Sequence, residues 1–272
     1  MIRFFFILIV FSLNIFPQQV RLKGEYLPGS IVIGKAEKQL KSVTLNNEVL
    51  RFDSSGNFIF GFDRDDKGKY ELKIIYSDGT HEEIGFKLKK RKYNIQRIDD
   101  IDRNYVTPPE NELERIERES RIIKKVKSKI GDVKETFYTD GIEKPVQGGR
   151  ITGVFGSQRI FRDVKKSPHN GVDIAKPKGT PVSSMAGGKV VLTGDNYYYS
   201  GNLVIIDHGQ GLMSMYLHMS KILVKEGQIV HKGEKIGEIG TTGRSTGPHL
   251  HWAVQWYSKR IDPMGLPDLK TE

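Results

Sequence analysis

The 272-residue sequence contains no cysteine, only two tryptophans, and no long apolar run after its first few residues. Without cysteine there are no disulfides, no thiolate metal ligands and no thiol nucleophile. A metal ion would have to be held by His, Asp or Glu. After the N-terminus no stretch is long and apolar enough to form a membrane-spanning helix. Acidic residues are outnumbered, 33 against 43 Lys and Arg, which gives a formal net charge of +10. That balance suits a polyanionic partner: nucleic acid, an anionic membrane surface or an acidic cell-wall polymer. No DNA- or RNA-binding pattern accompanies it, so no nucleic-acid partner is expected. A hydrophobic fraction of 37% with 28% charged residues describes a globular chain with solvated parts.

The chain begins with a short basic start, Met1-Ile2-Arg3. An almost wholly apolar run from Phe4 to Phe16 follows, then Pro17-Gln18-Gln19. This reads as a secretory signal over residues 1–19, with an uncleaved anchor as the alternative. Export to the periplasm or cell envelope follows, with no integral membrane segment once the signal is removed.

Residues 20–88 read as a small β-sandwich of immunoglobulin-like character. Tyr70, Leu72, Ile74 and Tyr76 alternate with Glu71, Lys73 and Ile75, and Asp78-Gly79 marks a hairpin turn. A spacer or docking role is expected for this domain. Residues 89–108, entered through the basic run Lys87 to Lys92, read as a solvated linker. Thr107-Pro108-Pro109 then opens a connecting helix expected over 109–131. Glu residues crowd its first turns and Lys residues its last, matching the helix dipole. Leu113, Ile116, Ile123, Val126 and Ile130 share a face, and Gly131 is the expected C-cap. From Gly148 the chain becomes Gly-rich and strand-rich, with no helical pattern before about Ser220. An antiparallel β domain is expected over 147–266, and the chain as a whole is expected to be mainly β.

Four of the seven histidines stand out, together with one aspartate. His169 and Asp173 form a His-x3-Asp element after a loop. His218 ends an apolar segment. His249 and His251 form a His-x-His pair whose members share one face if the segment is a strand. Zinc takes imidazole nitrogen and carboxylate oxygen, and a catalytic site leaves one position for water. Two His and one Asp supply such a set, and two further imidazoles can manage a proton and an oxyanion. Spacing alone does not say which of the four histidines are ligands. Arg159 reads either as a contact for a substrate carboxylate or as a solvated side chain. Tyr197-Tyr198-Tyr199 reads as a groove lining or a loop packed on the sheet. His208 reads as structural, and His231 as a surface residue.

The C-terminal domain resembles the lysostaphin/LytM-type zinc metallopeptidases, a family of peptidoglycan endopeptidases. The likeness rests on His169-x3-Asp173, Tyr216-x-His218, His249-x-His251 and the phrases Gly188-Lys189-Val190-Val191 and Gly243-Arg244-Ser245-Thr246-Gly247-Pro248. It covers roughly residues 147–266. The resemblance implies a duplicated-hybrid-motif-like fold. It implies a Zn²⁺ ion held by His169, Asp173 and His251, with His218 and His249 as catalytic neighbours. It further implies hydrolysis of peptide cross-links, with peptidoglycan peptide stems as substrate and other cell-wall enzymes as candidate partners. The alternative is a non-catalytic module that activates another wall hydrolase, with the helix as its partner or autoinhibitory element. Loss of ligand residues would favour that alternative, and all five positions are filled here.

Overall fold

The structure, a computed structural model, describes residues 19–98, 107–129, 131, 133, 135–161 and 163–266. Of the expected secretory segment only Gln19 falls among the described residues; the rest lies outside them.

The N-terminal domain has seven strands: β1 (Val20–Gly24), β2 (Ile31–Ala36), β3 (Leu40–Leu45), β4 (Glu48–Leu50), β5 (Asn57–Gly61), β6 (Lys69–Tyr76) and β7 (His81–Lys87). They form two antiparallel sheets, β1-β2-β5 and β4-β3-β6-β7. The period-two pattern of β6 sends Leu72, Ile74 and Tyr76 inward, where they are fully buried. Phe58, Phe60 and Phe62 come from the facing sheet; Phe60 meets Phe62 edge-on with ring centroids 5.8 Å apart. Asp78 turns the β6–β7 hairpin by accepting the Thr80 N–H at 2.9 Å.

This sandwich docks on its own C-terminal domain. One hydrophobic core runs from Val20 through Phe60 to Trp256 and Ile261. Asp63 receives the Arg260 backbone N–H at 2.9 Å and its guanidinium at 2.5 and 3.1 Å. Gln210 donates to Asn57 O at 3.0 Å, and Arg64 donates to Gly156 O at 2.7 and 2.8 Å.

The described residues 89–98 of the expected linker are not all irregular. Within it lies β8 (Ile95–Ile98). The connecting helix α1 spans Glu110–Lys127, starting directly after Pro109. It ends earlier than expected: Ser128 closes it by donating to Lys124 O at 2.9 Å, and Gly131, with φ of 91°, lies in the turn beyond. Leu113, expected on the packed face, is 49% exposed. Ile123 and Val126 are the stripe residues that pack on the second buried cluster of the sheet. Ile130 lies outside the described residues.

The C-terminal domain comprises β9 (Arg150–Gly153), β10 (Gln158–Phe161), β11 (Val164–Lys165), β12 (Gly171–Ala175), β13 (Pro181–Ser183), β14 (Gly188–Tyr197), β15 (Gly201–Gly209), β16 (Leu212–Ile222), β17 (Ile229–Val230), β18 (Lys235–Ile239), β19 (His249–Trp256) and β20 (Lys259–Ile261). The main antiparallel sheet runs β17-β14-β15-β16-β19-β12-β9. β18 pairs with β13 and β16, and β20 pairs with β19. Ser220, where a helix was allowed, lies within β16. β8 pairs in parallel with β10, and β11 covers the other edge of β10. The short β10 thereby satisfies backbone groups on both sides. β15 shows how the sheet is sandwiched. Val204 and Ile206 face the main core, whereas Leu203 and Ile205 face a second cluster to which α1 adds Ile123 and Val126. Among the described residues no helix is long and apolar enough to cross a membrane.

Candidate metal centre

Strand register assembles the site. β12 and β19 are antiparallel, with Asp173 directly opposite His251 and Ala175 opposite His249. Directly opposed residues project on the same face, so one carboxylate and two imidazoles meet there. His169 precedes β12 and is held by its backbone: its N–H donates to Ser157 O at 2.9 Å, and its carbonyl accepts Gly156 N–H at 2.8 Å.

His169 Nε2, Asp173 Oδ1 and His251 Nδ1 lie 3.1, 3.0 and 2.8 Å from one another. All three residues are buried. His169 Nδ1 faces Val154 O at 3.1 Å, which places its proton there and leaves Nε2 as a lone-pair donor. Close approach requires glycine beside the group. A Cβ on Gly153 would stand 2.9 Å from both Asp173 Cγ and His169 Cε1, and one on Gly171 would stand 2.9 Å from His251 Nε2. Burial opposes ionisation of Asp173, but the neighbouring imidazoles of His169 and His251 outweigh it and hold the carboxyl well below the usual range. Burial pushes His251 down to about 4, against the pull of Asp173. An ionised carboxylate beside neutral imidazoles is the form that binds a cation. The chemistry of this donor set therefore fits a divalent metal ion.

Two more imidazoles adjoin the three. His249 Nε2 lies 3.8 Å from Asp173 Oδ1, and its Nδ1 lies 2.8 Å from Gly247 O and 3.2 Å from Ser245 Oγ. His218 Nδ1 donates to Thr242 O at 2.9 Å. Its ring centroid is 4.8 Å from that of His249 and 6.1 Å from that of His251. Burial, then the neighbouring His249 and His251, push its pKa down to about 3. His218 also has a left-handed backbone, φ 65°. Strict alternation along β16 would put it opposite in facing to Leu217, whose Cα partner is His251. The left-handed residue breaks the alternation, and both side chains come to the site face.

The five residues singled out from the sequence thus converge. Arg159 is neither solvated nor free: its guanidinium pairs with Asp173 Oδ2. The carbonyls of Val154, Thr242 and Gly247 orient three of the imidazoles. Backbone acceptors leave no mark in side-chain spacing, and only Gly247, within the Gly-rich turn, carried a local signal. His208 is fully buried and structural, bonded to Gly187 O at 2.5 Å and Ser214 Oγ at 2.7 Å. His231 is exposed. The tyrosine run meets α1: Tyr198 N–H donates to Glu119 at 2.8 Å, and the Asn196 carbonyl accepts from Arg115. Tyr197 and Tyr199 line a groove of about 400 Å³ with Ile116, Ile123 and Lys127.

A buried His-Asp-His group with two adjacent imidazoles on an antiparallel sheet is a donor set that could hold a metal ion. Residues 167–263 match Peptidase family M23, and the C-terminal domain is a domain of that family. The chain is 52% identical over 116 residues to the peptidoglycan DD-endopeptidase ShyA of Vibrio cholerae; the match covers 42% of this chain and 27% of that protein. It is 42% identical over 98 residues to the DD-carboxypeptidase/endopeptidase Mpg of Neisseria meningitidis, covering 36% and 22% respectively. The match thus spans about a quarter of the length of these relatives. Among solved structures, a candidate M23 peptidase from Pseudomonas aeruginosa superposes with a TM-score of 0.66 at 28% identity, covering 90% of this chain and 96% of that one. The likeness of fold therefore extends through the sandwich as well as the metal centre.

Proposed function

We propose that the chain is an exported zinc-dependent endopeptidase that hydrolyses peptide cross-links of bacterial peptidoglycan. One observation carries the reading: ligand atoms of His169, Asp173 and His251 lie within 3.1 Å of one another, with the imidazoles of His218 and His249 beside them. The names of the relatives supply the substrate class, since ShyA and ShyB are named peptidoglycan DD-endopeptidases. The positive net charge favours accumulation on an anionic wall mesh. The apolar start of the chain supplies the route to the periplasm.

His169, Asp173 and His251 would hold Zn²⁺, the ion suited to a cysteine-free N/O donor set with a position left for water. When bound, Zn²⁺ lowers the pKa of its water to about 7 and polarises a carbonyl. His218 keeps one proton on Thr242 O, so its Nε2 is available to accept the proton of the attacking water. His249 is oriented by Gly247 O, and protonated at Nε2 it donates to the developing oxyanion. The two rings are 4.8 Å apart.

The test is mass analysis of defined cross-linked muropeptide dimers incubated with the full chain. Cleavage should stop on chelation, return with Zn²⁺ and be lost in His218→Ala. A metal-free, inactive chain that stimulates a separate wall amidase would overturn the enzymatic reading in favour of a regulatory module.

A further inference from the structure

We propose that Arg159 is a positioning residue of the metal centre and that Gln96 positions Arg159 in turn. On this inference β8, from the segment joining the two domains, completes the site. The inference rests on the reading of His169, Asp173 and His251 as metal ligands.

The two oxygens of Asp173 have divided tasks. Oδ1 meets His169 Nε2 at 3.1 Å and His251 Nδ1 at 2.8 Å. Oδ2 takes the Arg159 guanidinium. A carboxylate tied in this way offers a cation one oxygen, not two, which preserves a coordination position for water. Arginine suits the task because it is always charged and its planar fork fixes direction as well as charge.

Arg159 is itself held. The parallel β8–β10 ladder places Gln96 as its Cα partner. Arg159 Nε donates to Gln96 Oε1 at 3.3 Å, and Gln96 Nε2 donates to Thr152 O at 3.2 Å. Thr152 returns to the ligand strand through its hydroxyl, 3.4 Å from Asp173 O, and the next residue, Gly153, is the Cα partner of Asp173. Gln96, Thr152, Asp173 and Arg159 thus form a closed polar circuit around the carboxylate. Such outer partners orient ligands and raise metal affinity.

The test uses the full chain and measures Zn²⁺ affinity by competition with a chromophoric chelator, with KM and kcat on muropeptide dimers measured in parallel. Arg159→Gln should weaken Zn²⁺ by about 10- to 100-fold. Arg159→Lys should recover part of the loss, because it keeps the charge but not the fork. Gln96→Leu should weaken Zn²⁺ by about 2- to 10-fold, the worth of one hydrogen bond. Arg97→Gln alters the next residue of β8, whose side chain pairs with Asp163 instead, and should leave affinity unchanged. Should Arg159→Gln not fold, Arg159→Lys and Gln96→Leu carry the test. Zn²⁺ affinity within twofold of the native value in the Arg159 and Gln96 variants would overturn the proposal. So would a rise in KM alone, which would make Arg159 a contact for a substrate carboxylate, or an equal loss in Arg97→Gln. Because the readout is metal affinity, the inference can fail while peptidoglycan hydrolysis stands, and can stand if hydrolysis fails.

Discussion

Adding one methyl group at Gly153 should disable the centre without touching a ligand. The Cβ of Gly153→Ala would stand 2.9 Å from Asp173 Cγ and 2.9 Å from His169 Cε1. Carbon atoms pack best at about 3.5–4.0 Å, so the group must move by roughly 1 Å. The obstructing atoms are not the loose end of a flexible chain. Asp173 is tied to Arg159, His169 and His251, and His169 is tied to Val154 O. The strand cannot easily retreat either, because Gly153 is the Cα partner of Asp173 in the ladder. A displacement of about 1 Å in a site of this kind costs about 100-fold in rate, or about 2.7 kcal/mol of barrier. Overpacking should add about 1–3 kcal/mol of destabilisation. Chelator competition, muropeptide turnover and urea unfolding read the three effects separately. Gly85→Ala, where a Cβ meets nothing within 4 Å, is the matched control. A Gly153→Ala protein with native Zn²⁺ affinity and native turnover would refute the reasoning.

Other expectations concern pH, the domain seam and the helix. Burial lowers the pKa of His208 to about 4, below its unfolded value of about 6.5. The unfolded chain therefore binds more protons between those values, and stability should fall as pH drops from about 6.5 to about 4, by about 3 kcal/mol from this residue. Urea unfolding of the metal-free protein against pH should show a shallower fall in His208→Asn. Metal affinity should also weaken as pH falls towards about 4, where His251 takes up a proton in competition with the ion; isothermal titration at several pH values checks this. Asp63→Ala leaves Arg260 with Asp65 alone at the seam and should cost about 1–3 kcal/mol by urea unfolding. Arg115→Met removes the tie from α1 to Asn196 O and the pairing with Glu119 inside the helix, and should speed proteolytic cutting within the helix while the sheet persists.

What the sequence disclosed was side-chain identity and period. The alternation from Tyr70 to Tyr76 predicts a half-buried strand, and His249-x-His251 predicts two imidazoles on one face. Both rest on rules local to a few residues. What stayed hidden depends on partners distant in the chain. β8 was masked by the run Lys87 to Lys92, and its strand exists because β10 offers an edge. Arg159 looked free because Asp173 becomes its neighbour only after β10 and β12 fold together. Thr242 went unremarked because it serves through its carbonyl. The helix pattern includes Leu113, but Ile123 and Val126 are the residues that pack on the buried cluster of the sheet, and Leu113 is left half exposed.

The left-handed φ of His218 has a consequence for how this site can change. The placement of this imidazole depends on one backbone torsion more than on the side chain's own rotamer. A strand residue has two facings and nothing between them. Relaxing the bulge, for example by altering the stretch Thr241 to Gly243 that carries the Thr242 carbonyl, would turn His218 through the sheet rather than shift it slightly. The change would be discrete, with His169, Asp173 and His251 left in place. Small steps in that stretch would pass abruptly from a site with both neighbouring imidazoles to one that lacks His218.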